Sequence, residues 1–295
     1  MQKYIEEAER RHEQQAEDGN LGFGSGWIID PKGAVLTNYH VVEGAEQLEV
    51  TLTDGRKFTT RDVLVDKKTD IAVIRIPATE ALPFLEFGDS NVVEMGDRVL
   101  AFGAPFGLTG SVTSGIVSAK GRNLRLNMYE DFLQTDAALN PGSSGGPLVS
   151  LDGRAIGITS AIKSRNGAFQ GVGLAIAGNL ARDISHRLLR DGAVRRGYLG
   201  VKIDELKPDA AARLGLRNTG VVVTKIFANS PAALRGGLKL GDVIATIDGK
   251  PVKNSLELQK VVEWLPVQTP VELAIYRDGN PIKITLQIAE QPDTF

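Results

Sequence analysis

The sequence predicts a mainly β first domain, built as a barrel or a sandwich, followed by a smaller α/β domain. From Leu21 to about Ala177, short apolar runs alternate with glycine-rich turns, which is typical of barrels and sandwiches. A helical pattern and the stop Asp191-Gly192 follow, and strand patterns then resume around one further helix. The length of 295 residues is enough for two domains, and a hydrophobic fraction of 42% supports packed cores.

Local patterns place the elements of the first domain. Residues 1–20 are polar and favour a helix, a tail or an oligomer contact. Residues 47–52 alternate polar and apolar before Asp54-Gly55, which predicts a hairpin. Strands are also predicted at 97–102, 115–119 and 153–158, and a helix at about 179–190. We therefore expect a polar segment at 1–20, a first domain at 21–192, a linker at 193–197 and a second domain at 198–292.

The second domain has a compact α/β pattern. Strands are predicted at 198–203, 220–226 and 242–247, and turns at Asp248-Gly249 and Asp278-Gly279. Asn254 is a suitable N-cap for a helix over 255–262.

Composition excludes several classes of function. A net charge of −2 with scattered basic residues gives no reason to expect nucleic acid as a partner. The absence of cysteine excludes disulfides and thiol catalysis, and with only three histidines we expect no metal site and no cofactor. No apolar run is long enough to span a bilayer, and no export signal is visible.

The turn Gly142-Ser143-Ser144-Gly145-Gly146 is the strongest chemical signal. Ser144 offers a hydroxyl that becomes a nucleophile once a base takes its proton. The N–H groups of Gly142 and Ser144 can point to one place and stabilise a developing oxyanion. Glycine-serine turns are common in ordinary loops, so a base must be found elsewhere.

His40 is the best candidate for that base, because it ends a β-like run whereas His12 and His186 lie in polar surface patterns. Taken alone, His40 is more simply a core histidine. Asp70 enters a strongly apolar strand, where a carboxylate needs a partner. Asp66, beside two lysines, is a rival expected in a solvated turn, and Asp136 is a rival expected to support the loop before the serine.

The order His40, Asp70, Ser144 is that of chymotrypsin-type enzymes. The turn also fits the Gly-x-Ser-x-Gly elbow of α/β-hydrolases, which need an acid and then a histidine after the serine. Only Asp183 and His186 could serve, one helical turn apart, so this alternative ranks lower.

Several segments together resemble the HtrA/Deg serine proteases, and the resemblance covers nearly all of the chain from Leu21 onward. These segments are 24–29, Thr37-Asn38-Tyr39-His40-Val41-Val42, 69–73, 103–107 and 135–146. The resemblance implies a chymotrypsin-like double β-barrel with His40 as general base, Asp70 as its orienter and Ser144 as nucleophile. It also implies an oxyanion hole from Gly142, Ser143 and Ser144, with Ser143 standing where relatives often have Asn.

The chain departs from the family pattern before residue 24. Relatives usually carry an additional strand there, whereas residues 5–18 favour a helix or a loop. The first barrel is therefore expected to be open, trimmed or completed by another chain.

Residues 198–292 resemble a single PDZ domain of the permuted bacterial kind, most specifically at 230–233 and 240–244. PDZ domains add an extended peptide to a sheet edge and capture its terminal carboxylate. Tyr198, Leu199, Gly200 and Val201 match the carboxylate-binding loop, although plain core packing of Tyr198 and Leu199 is a compatible alternative. The groove is expected between this strand and helix 255–262.

The primary specificity pocket is expected to be neutral and modest in size. Ala138 and Leu139 precede the serine, with no acid where trypsin-like pockets hold one, and Thr159, Ser160 and Ala161 match the opposite wall. Such a pocket favours cleavage after small or medium apolar residues, because it cannot satisfy a buried positive charge. Core packing of Ala138 and Leu139 is the alternative. Loops 108–110 and 122–131 match regions that the family uses for activation.

The sequence thus predicts a serine endopeptidase that degrades misfolded or regulatory proteins and is modulated by C-terminal peptides at a PDZ groove. A peptide-binding chaperone or adaptor with a weak or inactive protease domain is the main alternative, and an esterase is a weaker one. The resemblance further implies a homotrimer or larger assembly in the periplasm or another extracytoplasmic compartment.

Overall fold

The computed structural model describes residues 23–124, 126–162, 169–216, 220–234 and 237–292. The chain forms two compact units, Met1–Val194 and Arg195–Phe295. The predicted helix or tail at 1–20 lies outside the described residues.

The strands of the first unit fall into an N-terminal and a C-terminal half. The N-terminal strands are β1 Trp27–Ile28, β2 Ala34–Thr37, β3 Leu48–Thr51, β4 Lys57–Thr60, β5 Val63–Asp66 and β6 Ile71–Arg75. The C-terminal strands are β7 Arg98–Gly103, β8 Ser111–Arg122, β9 Phe132–Thr135, β10 Pro147–Ser150, β11 Ala155–Ile162 and β12 Gly173–Ala177. Its helices are α1 Tyr39–Val42 and α2 Gly178–Asp191, and a single 3-10 turn spans Pro105–Gly107.

The N-terminal half is an open antiparallel sheet in the order β1-β2-β6-β5, with β3 and β4 as a separate hairpin. Its apolar core includes the buried Val35, Ala72 and Ile74. Thr37 at the end of β2 pairs with Ala72 near the start of β6. The antiparallel register therefore brings the residues just after β2 next to the residue just before β6.

The C-terminal half is a closed antiparallel barrel in the order β10-β11-β12-β9-β8-β7. Buried side chains such as Val117, Leu133 and Leu148 fill it. One of the two predicted barrels is thus closed, whereas the other is an open sheet among the described residues. The segment 5–18, on which the expectation of a missing strand rests, lies outside the described residues.

Helix α2 follows the barrel and agrees with the predicted helix at 179–190. Its apolar face buries Ala181, Ile184 and Leu188. It ends at Gly192, which adopts φ 75° and donates its N–H to Leu188 O. Glycine takes this left-handed conformation without a steric penalty, so it terminates the helix cleanly.

The described part of the second unit contains a six-stranded antiparallel sheet and a separate two-stranded one. Its strands are β13 Gly197–Tyr198, β14 Val201–Glu205, β15 Val221–Ile226, β16 Val243–Ile247, β17 Lys250–Pro251, β18 Pro270–Arg277, β19 Asn280–Gln287 and β20 Ala289–Glu290. Its helices are α3 Pro208–Arg213, α4 Pro231–Leu234 and α5 Ser255–Trp264. The sheet order is β14-β15-β16-β18-β19 with β17 on β16, and β13 pairs with β20.

Helix α5 begins as the sequence predicts. The Asn254 side chain accepts the N–H of Glu257 at 2.8 Å, which satisfies one free donor of the first turn. Leu258 and Val262 of this helix join the apolar core of the sheet.

The residues predicted as a linker at 193–197 overlap the second unit. Arg196 is buried and its Nε lies 2.9 Å from Glu263 Oε1 on α5, where the side chains are only 2% and 4% exposed. The local pattern of two arginines and a glycine indicates a linker, and it carries no sign of an acid 67 residues away.

Candidate active site

His40 and Asp70 form a close pair. His40 Nδ1 lies 2.8 Å from Asp70 Oδ2 and 3.0 Å from Oδ1. The backbone N–H of His40 also donates to Asp70 Oδ1 at 2.9 Å. His40 does not end a strand as predicted, because it lies in the short helix α1 and its side chain is 44% exposed. The Asp70 carboxylate therefore orients the His40 ring, and the Nε2 atom of the ring remains accessible.

Asp70 is held in an unusual backbone conformation. Its φ of 60° is sparsely populated by residues other than glycine. Its carbonyl accepts hydrogen bonds from Asn38 Nδ2 at 3.0 Å and from the Tyr39 N–H at 3.1 Å. Ser160 Oγ donates to Asp70 Oδ2 at 3.1 Å. These contacts stabilise the strained residue and point its carboxylate at His40.

The two rival acids have other partners. Asp66 is not in a solvated turn as predicted, because it is buried at the end of β5 and accepts the Thr69 hydroxyl at 2.5 Å. Asp136 accepts the Ile116 N–H at 2.7 Å and so links β8 to the loop that leads to the serine.

The alternative hydrolase pair is also placed elsewhere. On α2, Asp183 faces Arg182 at 3.5 Å, and the His186 ring packs edge-on against Phe87. Within the described residues, neither Asp183 nor His186 forms a hydrogen bond or an ion pair with the serine turn.

The serine turn is fixed by hydrogen bonds to its carbonyls. Pro141 O accepts the Phe106 N–H at 2.8 Å, and Ser143 O accepts Thr159 Oγ1 at 2.6 Å. Gly142 has φ 95° and is packed so closely that a Cβ there would lie 2.3 Å from Ala104 O. Only glycine fits this position.

Two of the three predicted oxyanion donors are available. The Ser143 N–H donates to Asn140 O at 2.8 Å inside the turn, so the prediction for this donor is corrected. In the described part of the chain, neither Gly142 N–H nor Ser144 N–H makes a hydrogen bond. These two N–H groups can therefore donate to the oxyanion that forms on the substrate carbonyl.

Ser160 connects the serine to the His40–Asp70 pair. Ser144 Oγ donates to Ser160 O at 3.1 Å, while Ser160 Oγ donates to Asp70. Between His40 and Ser144 themselves, no hydrogen bond occurs within the described residues. The three predicted catalytic residues are thus brought together, with the serine hydroxyl turned toward a carbonyl. Sequence reasoning missed this role of Ser160, which it placed on the pocket wall.

Ser25 joins the catalytic turn to the open sheet. Its Oγ donates to Gly142 O at 2.7 Å and accepts the Ala104 N–H at 2.9 Å. Its backbone N–H donates to Ser144 O at 2.8 Å, and its carbonyl accepts Thr37 Oγ1 at 2.7 Å. The glycines on either side of Ser25 were the only sequence signal for such a close approach.

A cavity of about 290 Å³ opens beside Ser144. Its lining residues are Leu139, Asn140, Pro141, Ser143, Ser144, Thr159, Ser160, Ala161 and Ile162. The set includes four of the five predicted pocket residues, whereas Ala138 is absent from it. The Ala138 carbonyl accepts a hydrogen bond from Thr113 Oγ1 at 2.9 Å. Among the described residues, no charged side chain lines this cavity.

The loop before β14 has the geometry of an anion-binding turn. Gly200 has φ 84°, and a Cβ there would lie 1.9 Å from Ser230 Cβ. Leu199 is buried, and its carbonyl accepts the Ala232 N–H at 3.0 Å. In the described portion of the second unit, the N–H groups of Leu199 and Gly200 have no hydrogen-bond partner. Burial raises the pKa of the neighbouring Tyr198 phenol.

The described residues contain no group of three or more His, Asp or Glu side chains arranged to hold a metal ion. Nor, among them, is any helix both long and apolar enough to cross a membrane.

A closed antiparallel barrel beside a second sheet, with Ser, His and Asp gathered around one turn, defines the class of trypsin-like peptidases. A family profile described as a trypsin-like peptidase domain matches residues 24–158, and one described as a PDZ domain matches residues 197–288.

Individual relatives agree with these profiles. A probable periplasmic serine endoprotease, DegP-like, from Rickettsia conorii is 43% identical over 274 residues, which cover 91% of this chain and 54% of that protein. A protein of the same description from Pseudomonas savastanoi pv. phaseolicola is 42% identical, covering 92% of this chain and 56% of that protein. The chain spans about half the length of these curated relatives.

Solved structures provide the more complete match. The HtrA-type protease AlgW with tripeptide has a TM-score of 0.87 and 42% identity, covering 91% of this chain and 89% of that chain. The serine endoprotease from Yersinia pestis has a TM-score of 0.76 and 34% identity, covering 91% and 89%. The chain therefore belongs to the HtrA family of serine proteases, with a chymotrypsin-like protease domain followed by a PDZ domain.

Proposed function

We propose that this chain is a serine endopeptidase in which Ser144 is the nucleophile, His40 the general base and Asp70 the residue that orients His40. The observation that carries the proposal is the chain of contacts from Ser144 through Ser160 to Asp70 and His40. Within it the acid is buried and the base is accessible.

The proposed reaction needs one small rearrangement. Rotation of the Ser144 side chain away from Ser160 O turns its hydroxyl toward the accessible nitrogen of His40. His40 then takes the proton as Ser144 Oγ attacks the substrate carbonyl, while Asp70 stabilises the imidazolium. The free N–H groups of Gly142 and Ser144 receive the negative charge on the carbonyl oxygen. His40 returns the proton to the leaving amine, and water hydrolyses the acyl-enzyme in the second half-reaction.

Two neighbouring serines allow a sharp test of the nucleophile. Ser144→Ala is expected to lower kcat by roughly 10⁶-fold, the scale measured when a catalytic serine is removed. Ser143→Ala is expected to cost far less, because its Oγ only accepts a 3.3 Å contact from the Asn140 N–H. A fluorophosphonate probe followed by peptide mapping should label Ser144 alone. Equal losses in the two variants, or label on Ser143, would mean that the wrong hydroxyl has been chosen.

The pocket supports cleavage after Val, Ala, Leu or Ile. Leu139 and Ile162 supply apolar walls, and none of the described lining residues can neutralise a buried Lys or Arg. A peptide library read by mass spectrometry checks this preference, and a profile dominated by basic residues would contradict it.

We further propose that the substrates are misfolded or regulatory proteins and that the PDZ domain binds C-terminal or extended peptides. The unpaired N–H groups of Leu199 and Gly200 support carboxylate capture. Solved relatives are described as AlgW with a tripeptide or a decapeptide. If peptide binding favours an active conformation, C-terminal peptides added to the full chain should raise casein hydrolysis. Unchanged activity at saturating peptide would refute the coupling.

We also propose that the chain assembles as a homotrimer or a larger homo-oligomer and acts in the periplasm. Phe23, Phe106 and Leu108 are 44%, 52% and 66% exposed, and Phe23 and Phe106 flank the catalytic turn. Such an apolar surface beside a site supports contact between subunits. The curated relatives are described as periplasmic. A monomer in light scattering at micromolar concentration would contradict the assembly.

One observation favours the alternative of a peptide-binding adaptor with a weak protease domain: Ser144 Oγ is engaged by Ser160 O and not by His40. The two functions separate in one experiment. Absence of fluorophosphonate labelling at Ser144, even with C-terminal peptide present, would favour the adaptor.

A further inference from the structure

The outward face of the PDZ groove carries an unusual charge pattern. Lys202 on β14 stands directly opposite Lys225 on β15, and both side chains are exposed. Like charges directly across an antiparallel pair destabilise a sheet. Within the described residues, neither lysine forms an ion pair, and the Lys225 ammonium lies 4.7 Å above the Phe227 ring. Two neighbouring lysines that form no ion pair among the described residues suit a negatively charged ligand.

The position of this pair relative to the groove follows from the fold. Among the described strands β14 ends its sheet, so one of its edges has no strand partner there and can pair with a peptide. The free N–H groups of Leu199 and Gly200 lie just before this strand. The Phe227 N–H donates to Gly200 O at 2.9 Å, which places the aromatic ring beneath Lys225 at the same end of the groove.

A peptide with its carboxylate at residues 199–200 must run antiparallel to β14, because its N-terminal side extends along the strand. Its last residue then lies beside Val201, the penultimate one beside Lys202 and the fourth from the end beside Asp204. Alternation sends successive side chains to opposite faces. Val201 and Ile203 pack toward the core that contains α5, so the last and third-from-last side chains share that apolar side.

The penultimate and fourth-from-last side chains therefore share the outward face with Lys202 and Asp204. Asp204 is exposed and pairs across the sheet with the uncharged Val222. The charge beside the groove thus changes sign along the strand, from two lysines near the carboxylate loop to one aspartate further on.

We propose that the PDZ domain selects C-terminal peptides with an acidic penultimate residue and disfavours an acid at the fourth position from the end. This inference rests on the proposed capture of C-terminal peptides and adds the substrate's charge pattern to it. The charges act from an exposed face, so they tune affinity and leave the apolar end residue as the main anchor.

Fluorescence anisotropy with labelled heptapeptides tests this inference on the full chain carrying Ser144→Ala, which prevents cleavage. All peptides end in Val. One set carries Ala, Asp or Lys at the penultimate position, and a second set carries Ala or Asp at the fourth position from the end. Relative to Ala, penultimate Asp should bind about threefold tighter and Lys about threefold weaker, the scale of an exposed ion pair. Asp at the fourth position should weaken binding, and 0.5 M salt should reduce every contrast.

Charge reversal in the protein provides the complementary test. Lys202→Glu combined with Lys225→Glu should invert the order, so that the penultimate Lys peptide binds best. Lys250→Glu is a control for a charge reversal elsewhere on the domain, because this exposed lysine lies on β17, whose partner among the described strands is β16. It should leave the order unchanged.

The outcomes separate this inference from the function on which it rests. A neutral peptide that binds no better than its C-terminal amide would overturn carboxylate capture and the charge preference together. A neutral peptide that binds through its carboxylate, with charged variants within 1.5-fold of it, would overturn the charge preference alone.

Discussion

Replacing Ser25 by Ala tests whether the Ser25 side chain positions Gly142, one of the two proposed oxyanion donors. The change removes the hydroxyl that donates to Gly142 O and accepts the Ala104 N–H. It leaves the backbone bonds of Ser25 to Ser144 O and Thr37 Oγ1 in place. The Gly142 region is therefore loosened, while the Ser144 N–H keeps its support.

The magnitude follows from these contacts. Two hydrogen bonds worth about 0.5–1.5 kcal/mol each are lost at a half-buried position, so the free energy of unfolding should fall by about 2 kcal/mol. Complete loss of one oxyanion donor costs about 10²–10³-fold in kcat. Because Phe106 still holds Pro141 O, we expect a partial loss, about 10- to 100-fold in kcat with little change in KM.

Thr60→Val is the matched control. Thr60 Oγ1 likewise donates to a carbonyl, Arg75 O at 2.8 Å, and accepts an N–H, from Asp62 at 3.0 Å. It ends β4 of the separate β3-β4 hairpin, and neither of these two hydrogen bonds involves a catalytic residue. The assay is steady-state hydrolysis of a chromogenic peptide, with Tm measured in parallel. If both variants lose similar Tm and the Ser25 variant keeps kcat within twofold of the parent, the proposed positioning role is refuted.

Three further variants follow from the site and the second unit. Asp70→Asn should lower kcat by about 10⁴-fold with the fold intact, because the amide favours the wrong His40 tautomer, and retained activity with native circular dichroism would contradict the assignment. Ser160→Ala should reduce kcat but less severely, since Asp70 keeps its bonds to His40, and a loss as large as that of Asp70→Asn would show that this bond matters more than we infer. Glu263→Gln should lower the free energy of unfolding of the second unit by about 3–5 kcal/mol, because it removes the negative charge that faces the buried Arg196. Urea unfolding measures this loss, and Glu272→Gln, which changes an exposed ion pair, is the control.

Much of the fold could be predicted from local patterns. Alternating apolar residues and Asp-Gly or Gly turns indicated the strands, and Asn254 marked the start of α5 at the observed residue. These features depend on neighbours within a few positions, so spacing along the chain reveals them. The element that differed most, α1 in place of a strand end at His40, is only four residues long and lies where the chain bends toward Asp70.

The sequence by itself determined the chemical types at the site: a serine on a glycine-bounded turn, a histidine after an apolar strand and an acid before another. Tertiary structure alone decided which groups meet. Ser160 reaches Asp70 across 90 residues of sequence, Asp66 is buried rather than solvated, and Arg196 pairs inside the second unit. Such partners come together only when separate strands and loops pack, because a hydrogen bond depends on distance and direction in space and leaves no periodic trace along the chain.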